Sequence, residues 1–265
     1  MVVAIIAILA GLLLPTLAKS KERARTMGCL NNTRQLFLAW MMYADEHSGR
    51  LAYNLGGQIA NRGVAQRTNA NWVNNILTWE LHSDNTNSAG LFDSGLGPYT
   101  SKVADIFRCP KDHVLSDVQR EAGWRTRIRS YSMNAMVGDA GQLSETGSNV
   151  NNPYYVQFFS LSSISKPAQI FVFLDEHPDS INDGYFVNRA YSGEWSDLPG
   201  SYHNGGANFA FADGHSETHR WRQASSKPAS KPDAAALPIA LPKAEREDLY
   251  WVLERMSIGR DVAGY

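Results

Sequence analysis

Residues 2–18 read VVAIIAILAGLLLPTLA, without a charge. A helix over this run rises ~1.5 Å per residue and covers roughly 26 Å, near the lower limit for spanning a bilayer. Pro15 lies inside it; such a proline costs about 3 kcal/mol in water but is better tolerated in membrane helices. KSKERAR follows from Lys19 to Arg25, with no Gly or Pro to stop a helix. Beyond it Met27, Leu30, Phe37 and Trp40, joined by Met41 and Tyr43, recur near helical spacing. Asp45 to Gly49 (DEHSG) reads as the exit, with Gly49 as C-cap. The pattern predicts one helix from about Val2 to about Glu46, apolar all round over 2–18 and amphipathic over 19–46.

After Gly49 the pattern changes. Residues 50–105 are rich in Asn and Gly, and NWVNNILTWEL offers Trp72, Val73, Ile76, Leu77 and Leu81 for a short helix. IFRCPKD (106–112) ends a buried segment at a turn. RIRSYSMNAMVG (127–138) alternates enough for a strand, and 139–153 is a polar loop. AQIFVFLDEH (168–177) is the clearest buried strand, an apolar run that ends in charges. ANFAFADGHSETHRW (207–221) predicts a hairpin. Its two-residue type I′ turn at Asp213-Gly214 would pair Ala212 with His215 and Asn208 with His219. SSKPASKPDAAALPIALP (225–242) reads as a Pro/Ala/Ser-rich linker, and KAEREDLYWVLERM (243–256) as a helix. The apolar stripe of that helix, Leu249, Val252, Leu253 and Met256, is expected to dock on its own domain. The expected architecture is α+β. The N-terminal helix (1–49) packs on an antiparallel sheet with long loops (50–224), followed by the linker and a C-terminal helix and tail (243–265).

Composition agrees with a folded chain. Of 265 residues 43% are hydrophobic and 19% charged, which excludes a disordered polymer. A net charge of −1 gives no reason to expect a nucleic-acid partner. The two cysteines, Cys29 and Cys109, permit one disulfide if the chain is exported; the alternative is two unpaired buried thiols.

Candidate chemistry gathers late in the chain, at Asp175-Glu176-His177, Asp183, His203, Asp213, His215 and His219. Carboxylates at a strand end beside a His-bearing hairpin could bind one divalent ion. Oxygen donors would suit calcium and imidazoles zinc. The residues expected to hold it are Asp175, His203, Asp213 and His215. The competing reading makes Asp213 a turn residue and leaves Glu176 and His177 at solvated strand ends. No Gly-x-Ser-x-Gly, Walker loop, dinucleotide fingerprint or His-Glu-x-x-His occurs. The expectation is therefore not an enzyme. The enzyme alternative is a metal-dependent hydrolase built on Asp175, Glu176, His203 and His215, with Glu176 as general base. A third class is an anchored surface module whose Trp/Tyr/Asn-rich loops bind glycan or protein.

Taken alone, the N-terminal run admits a signal peptide, a single-pass anchor or a pilin-type helix. The basic start of a signal peptide is absent from this sequence, and the helix continues past the apolar run. VVAIIAILAGLLLPTLAKSKERARTMGCLNNTRQL resembles the N-terminal segment of type IV pilins and type II secretion pseudopilins. The match includes the internal proline, the basic stretch and the Cys-x-x-Asn. SYHNGGANFAFADGH carries a His, nine residues, then Asp-Gly: His203, Asp213 and Gly214. It resembles the prepilin-associated C-terminal motif of large pilin-like proteins of planctomycete and verrucomicrobial type. CPKD, SYSMN and FLDEHPDSINDGYF are similar to the same family. The resemblance implies a structural subunit of a type II secretion pseudopilus or type IV pilus-like filament. It implies assembly with its own copies or other pilin-like subunits through the N-terminal helix. It also implies an inner-membrane location with the globular domain in the periplasm, or a place in a periplasmic or extracellular filament. The family's basic leader, cleavage site, N-terminal Phe and nearby Glu do not appear. Met1 is expected to fall inside the family's segment, and peptidase processing and Glu-based filament registry are assigned to no residue here. The basic residues at 19–25 alone would favour a cytoplasmic C-terminal side; the expectation follows the family's orientation.

Overall fold

The computed structural model describes residues 2–57 and 71–259, without the side chains of residues 2–8, 10 and 12. Part of the expected apolar run, part of the Asn/Gly-rich stretch after Gly49 and the tail beyond 259 therefore lie outside the described residues. The fold is α+β. Helix α1 runs unbroken over Val2–Glu46, 45 residues with Pro15 inside. It ends where Ser48 and Gly49 take positive φ and the Gly49 N–H reaches the carbonyl of Ala44. This is the exit that the DEHSG stretch predicts.

Burial divides α1 in two. Every side chain from Leu13 to Ser20 is exposed, whereas Cys29, Thr33, Leu36, Phe37, Trp40, Tyr43 and Ala44 are buried. Their spacing of three and four residues puts them on one face. Met27, expected on that stripe, is 63% exposed, so the buried face is set by Cys29 and Thr33 instead. The apolar half is expected to insert in a membrane; among the described residues no helix is long and apolar enough to cross one.

The sheet has five strands in the order β3-β1-β2-β5-β6: β1 (Tyr131–Asn134), β2 (Phe171–Asp175), β3 (Tyr185–Phe186), β5 (Gly206–Phe211) and β6 (Ser216–Arg220). It is mixed rather than antiparallel, because β3 runs parallel to β1, with Met133 opposite Tyr185. The chain passes from β2 to β3 through residues 176–184 and pairs on the far side of β1, not by a hairpin. A second, two-stranded sheet pairs β4 (Glu194–Trp195) with β7 (Ile239–Ala240). The expected linker therefore lies on the domain. Ser230 donates to the Asp179 carboxylate at 2.7 Å, and Ser226 and Leu241 are buried.

The sheet separates two cores. On one side Tyr131, Met133, Phe173 and Ala210 meet the buried face of α1. On the other, Phe171, Leu174, Ala207, Phe209 and Phe211 pack with Leu249, Val252, Leu253 and Met256 of the C-terminal helix. That helix is α4 here (Glu247–Met256), preceded by the short α2 (Ala89–Phe92) and α3 (Asp117–Glu121). It docks on its own domain as its stripe predicts. The segment 72–81 is not helical. Its backbone is held by partners distant in sequence, Asn74 N–H on the Gly90 carbonyl and Leu77 N–H on that of Asn182. Buried asparagines, not an apolar stripe, fix it: Asn75 donates to the carbonyls of Asp84 and Asn87.

The hairpin forms one residue out of the expected register. Asn208 faces Thr218 and Ala207 faces His219. Phe211 and His215 close a three-residue loop, Ala212-Asp213-Gly214, with Gly214 at φ +93°. A three-residue loop with its one positive φ at Gly214 replaces the two-residue I′ turn. A Cβ on Gly214 would lie 2.9 Å from the Phe37 ring, so the turn glycine is also where the hairpin touches α1.

Candidate metal centre

Four segments meet on the α1 side of the sheet. Cys29 arrives from the buried face of α1, and Cys109 from the turn after a 3-10 helix at Ala104–Phe107. Asp175 closes β2, and His203 precedes β5. Their ligand atoms all lie within 4.8 Å of one another, and none of the four residues is more than 2% exposed. This buried Cys29, Cys109, Asp175 and His203 group could hold a metal ion.

The polar contacts inside the group are close. Cys29 Sγ lies 3.0 Å from Asp175 Oδ1, and His203 Nε2 lies 3.1 Å from Asp175 Oδ2. Cys109 Sγ lies 3.5 Å from His203 Nε2. Around them, the Asn208 N–H donates to Asp175 Oδ2 at 2.7 Å, and the Tyr131 hydroxyl sits 2.9 Å from Cys29 Sγ. His203 Nδ1 is 3.2 Å from Thr26 Oγ1 of α1, and the Asn208 amide is 3.0 Å from Nε2.

The electrostatics follow from burial. Desolvation, then the Cys109 and Asp175 neighbours, push the Cys29 thiol well up. Burial also acts to raise Cys109, but hydrogen bonds from Cys29 and His203 outweigh it and bring that thiol down. Burial would lower His203, yet its bonds to Asp175 and Cys109 dominate and push it up to about 9. The group thus gathers two thiols and an imidazole around one carboxylate, and metal binding to such donors releases protons.

Of the four residues expected to hold an ion, Asp175 and His203 come together and Asp213 and His215 do not. The latter pair sits at the exposed hairpin tip, bound to each other at 2.6 Å. There the Asp213 carboxylate also accepts from the His215 N–H, which is turn chemistry. The ends of the His203…Asp213-Gly214 pattern both touch α1, His203 through Thr26 and Gly214 through Phe37. The cysteines are buried free thiols, both within the group, which is the unpaired alternative to a disulfide.

The other candidates are dispersed. Glu176 is buried, with Arg129 and Asp183 as charged neighbours; burial pushes it up to about 8, and its Oε2 lacks a hydrogen-bond partner. His177 is buried against the Pro228 carbonyl, and Asp183 accepts the Gly57 and Tyr185 N–H groups. His219 stacks on Trp251 at 3.7 Å. Sequence reading did not place the two thiols in the candidate group. The available clue was that each lies beside a polar helix- or turn-defining motif, Cys-x-x-Asn and Cys-Pro-Lys-Asp.

Fold and site together define a class: an α+β domain built on a long helix that projects from it, with a Cys/Cys/Asp/His group buried where helix and sheet meet. No family model matches the chain, and no curated protein or solved structure matches it significantly.

Proposed function

We propose that the chain is a pilin-like structural subunit whose projecting helix joins it to other subunits of a type II secretion pseudopilus or type IV pilus-like filament. One observation carries this reading. A single helix serves as the spine of the domain over its second half, while its first half displays Leu13, Leu14 and Leu17, each at least 64% exposed. A run of exposed leucines on a lone helix costs solubility unless another apolar surface covers it. In a filament that surface is the same helix of neighbouring copies; before assembly it is the inner membrane. The globular domain then lies on the periplasmic side or on the filament surface.

Full burial of the Cys/Cys/Asp/His group supports a structural ion rather than a hydrolytic one, because a catalytic metal keeps a position open to substrate. Its cofactor on this reading is one divalent ion. The test is fractionation and electron microscopy of cells making the full chain, beside the Leu13→Lys, Leu17→Lys variant. The wild type should be retained in alkali-washed membranes or sheared filaments, and the variant lost from both. A wild-type chain found entirely in the soluble fraction as a monomer overturns the proposal.

A further inference from the structure

We infer that the buried group is a closed zinc site that staples α1 to the sheet, so that the projecting helix is held at a fixed angle only when the ion is bound. The inference rests on the divalent-ion reading of the group and is independent of the filament reading. Three observations carry it.

The first is geometry. Tetrahedral zinc, with legs of about 2.3 Å to sulfur and about 2.0–2.1 Å to nitrogen or oxygen, spaces its ligands roughly 3.3–3.8 Å apart. Three of the separations here, 3.0, 3.1 and 3.5 Å, lie in or just below that range, and all the ligand atoms lie within 4.8 Å of one another. The second is the donor set. Two thiolates and an imidazole select zinc among the abundant divalent ions. Calcium wants six to eight oxygens, and Asp175 is the only carboxylate in the group.

The third is the surrounding shell. Metal-bound imidazole and carboxylate groups are oriented by partners on their other atoms. His203 has Thr26 at Nδ1, so Nε2 is the nitrogen that faces Cys109 and Asp175, with the Asn208 side-chain amide 3.0 Å away, and the Asn208 N–H holds Asp175 Oδ2. The Tyr131 hydroxyl can donate to a Cys29 thiolate. Loading the site is an exchange of protons for an ion. A proton leaves each thiol, and Nε2 gives up the proton shared with Asp175; all pass to solvent, and no electron moves.

The stapling role follows from where the ligands sit. Cys29, with Thr26 one turn earlier, belongs to α1; the other three belong to segments 80 to 174 residues further along (109 and 203, less 29). The site lies where α1 leaves the sheet. From Leu13 to Ser20 its side chains are exposed, and the polar contacts nearest the departure point are made by Glu22 to Lys111, Thr26 to His203 and Asn32 to the Asp105 and Arg108 carbonyls. Without the ion, the thiols, the carboxylate and the imidazole are held at this joint by hydrogen bonds alone. With it, they form one rigid corner.

The experiment uses the full chain, purified in detergent under reducing conditions without added chelator. Elemental analysis should find one zinc per chain. Cobalt(II) added to chain stripped of metal should give the absorption of a tetrahedral thiolate site, unchanged in Asp213→Ala, His215→Ala and absent in Cys109→Ser. Hydrogen exchange should show protection of amides from Thr26 to Leu36 lost on stripping and restored by zinc. Absence of both stoichiometric metal and cobalt bands in the wild type overturns the ion and the staple together. So does a Cys29–Cys109 disulfide in protein taken from cells. Bound zinc with exchange unaltered by stripping overturns the staple alone.

Discussion

Replacing Gly214 by alanine tests whether the hairpin tip rests on α1. Two costs add. At φ +93° a side chain meets backbone strain of about 1–3 kcal/mol, offset by roughly 0.4–1 kcal/mol from the less flexible unfolded chain. The new Cβ would also stand 2.9 Å from Phe37 Cε1, closer than such contacts occur. Phe37 is buried and cannot swing away freely, so relieving the overlap costs about a further 1–3 kcal/mol. Gly123 isolates the first cost: its φ is +80° and a Cβ there meets nothing within 4 Å. Gly214→Ala should therefore destabilise the chain by at least about 1 kcal/mol more than Gly123→Ala. The assay is urea unfolding followed by tryptophan fluorescence, read as the midpoint at constant slope. In a Phe37→Leu background the excess should shrink, because the two sites couple through one contact. If the two glycine variants differ by less than about 0.5 kcal/mol, the hairpin does not press on α1 and the packing described here is wrong.

Other outcomes follow from the same packing. Trp40→Ala empties the centre of the α1–sheet core, where Trp40 is fully buried, and should cost about 3–5 kcal/mol in the same assay. Leu13→Ser with Leu17→Ser should leave the unfolding midpoint within about 0.5 kcal/mol of wild type while removing the chain from membranes and filaments, since both residues are exposed. His219 is held below its ordinary value by burial beside Trp251. Below about pH 6.5 the unfolded chain binds a proton that the folded chain resists, so stability should fall as pH drops through that value. His219→Phe should flatten that part of the profile; an unchanged profile would mean that His219 takes up its proton equally in both states.

Much of the fold is legible in the chain because periodicity survives in its long elements. The single helix to Glu46, the buried strand ending at Asp175 and the docked stripe of α4 all follow from spacing. The failures have physical causes. The stretch around Trp72 has helix-like apolar spacing, but its structure comes from buried asparagines such as Asn75, which ties it to the carbonyls of Asp84 and Asn87 outside the stretch. The hairpin shifts by one residue because Asp213 need not take positive φ once Gly214 alone supplies it. Of the site, Asp175 and His203 are readable as polar residues beside apolar strands. Asp213 and His215 look equivalent in sequence, yet the turn carries them to the surface. The thiols are hidden for the opposite reason. A sequence shows two cysteines 80 residues apart (109 less 29), and only the crossing of α1 over the sheet puts them beside a carboxylate and an imidazole.

The central claim is that the exposed half of α1 is covered by the same helix of another copy. Its most direct measurement is photo-crosslinking in cells, with a benzophenone amino acid placed at position 13 and, as a control, at Glu217 on β6. The account predicts a chain-to-chain adduct from position 13 that maps to α1 of the second copy, and none from position 217. A position 13 that yields only adducts within its own chain, or no adduct in membranes and filaments alike, would contradict it.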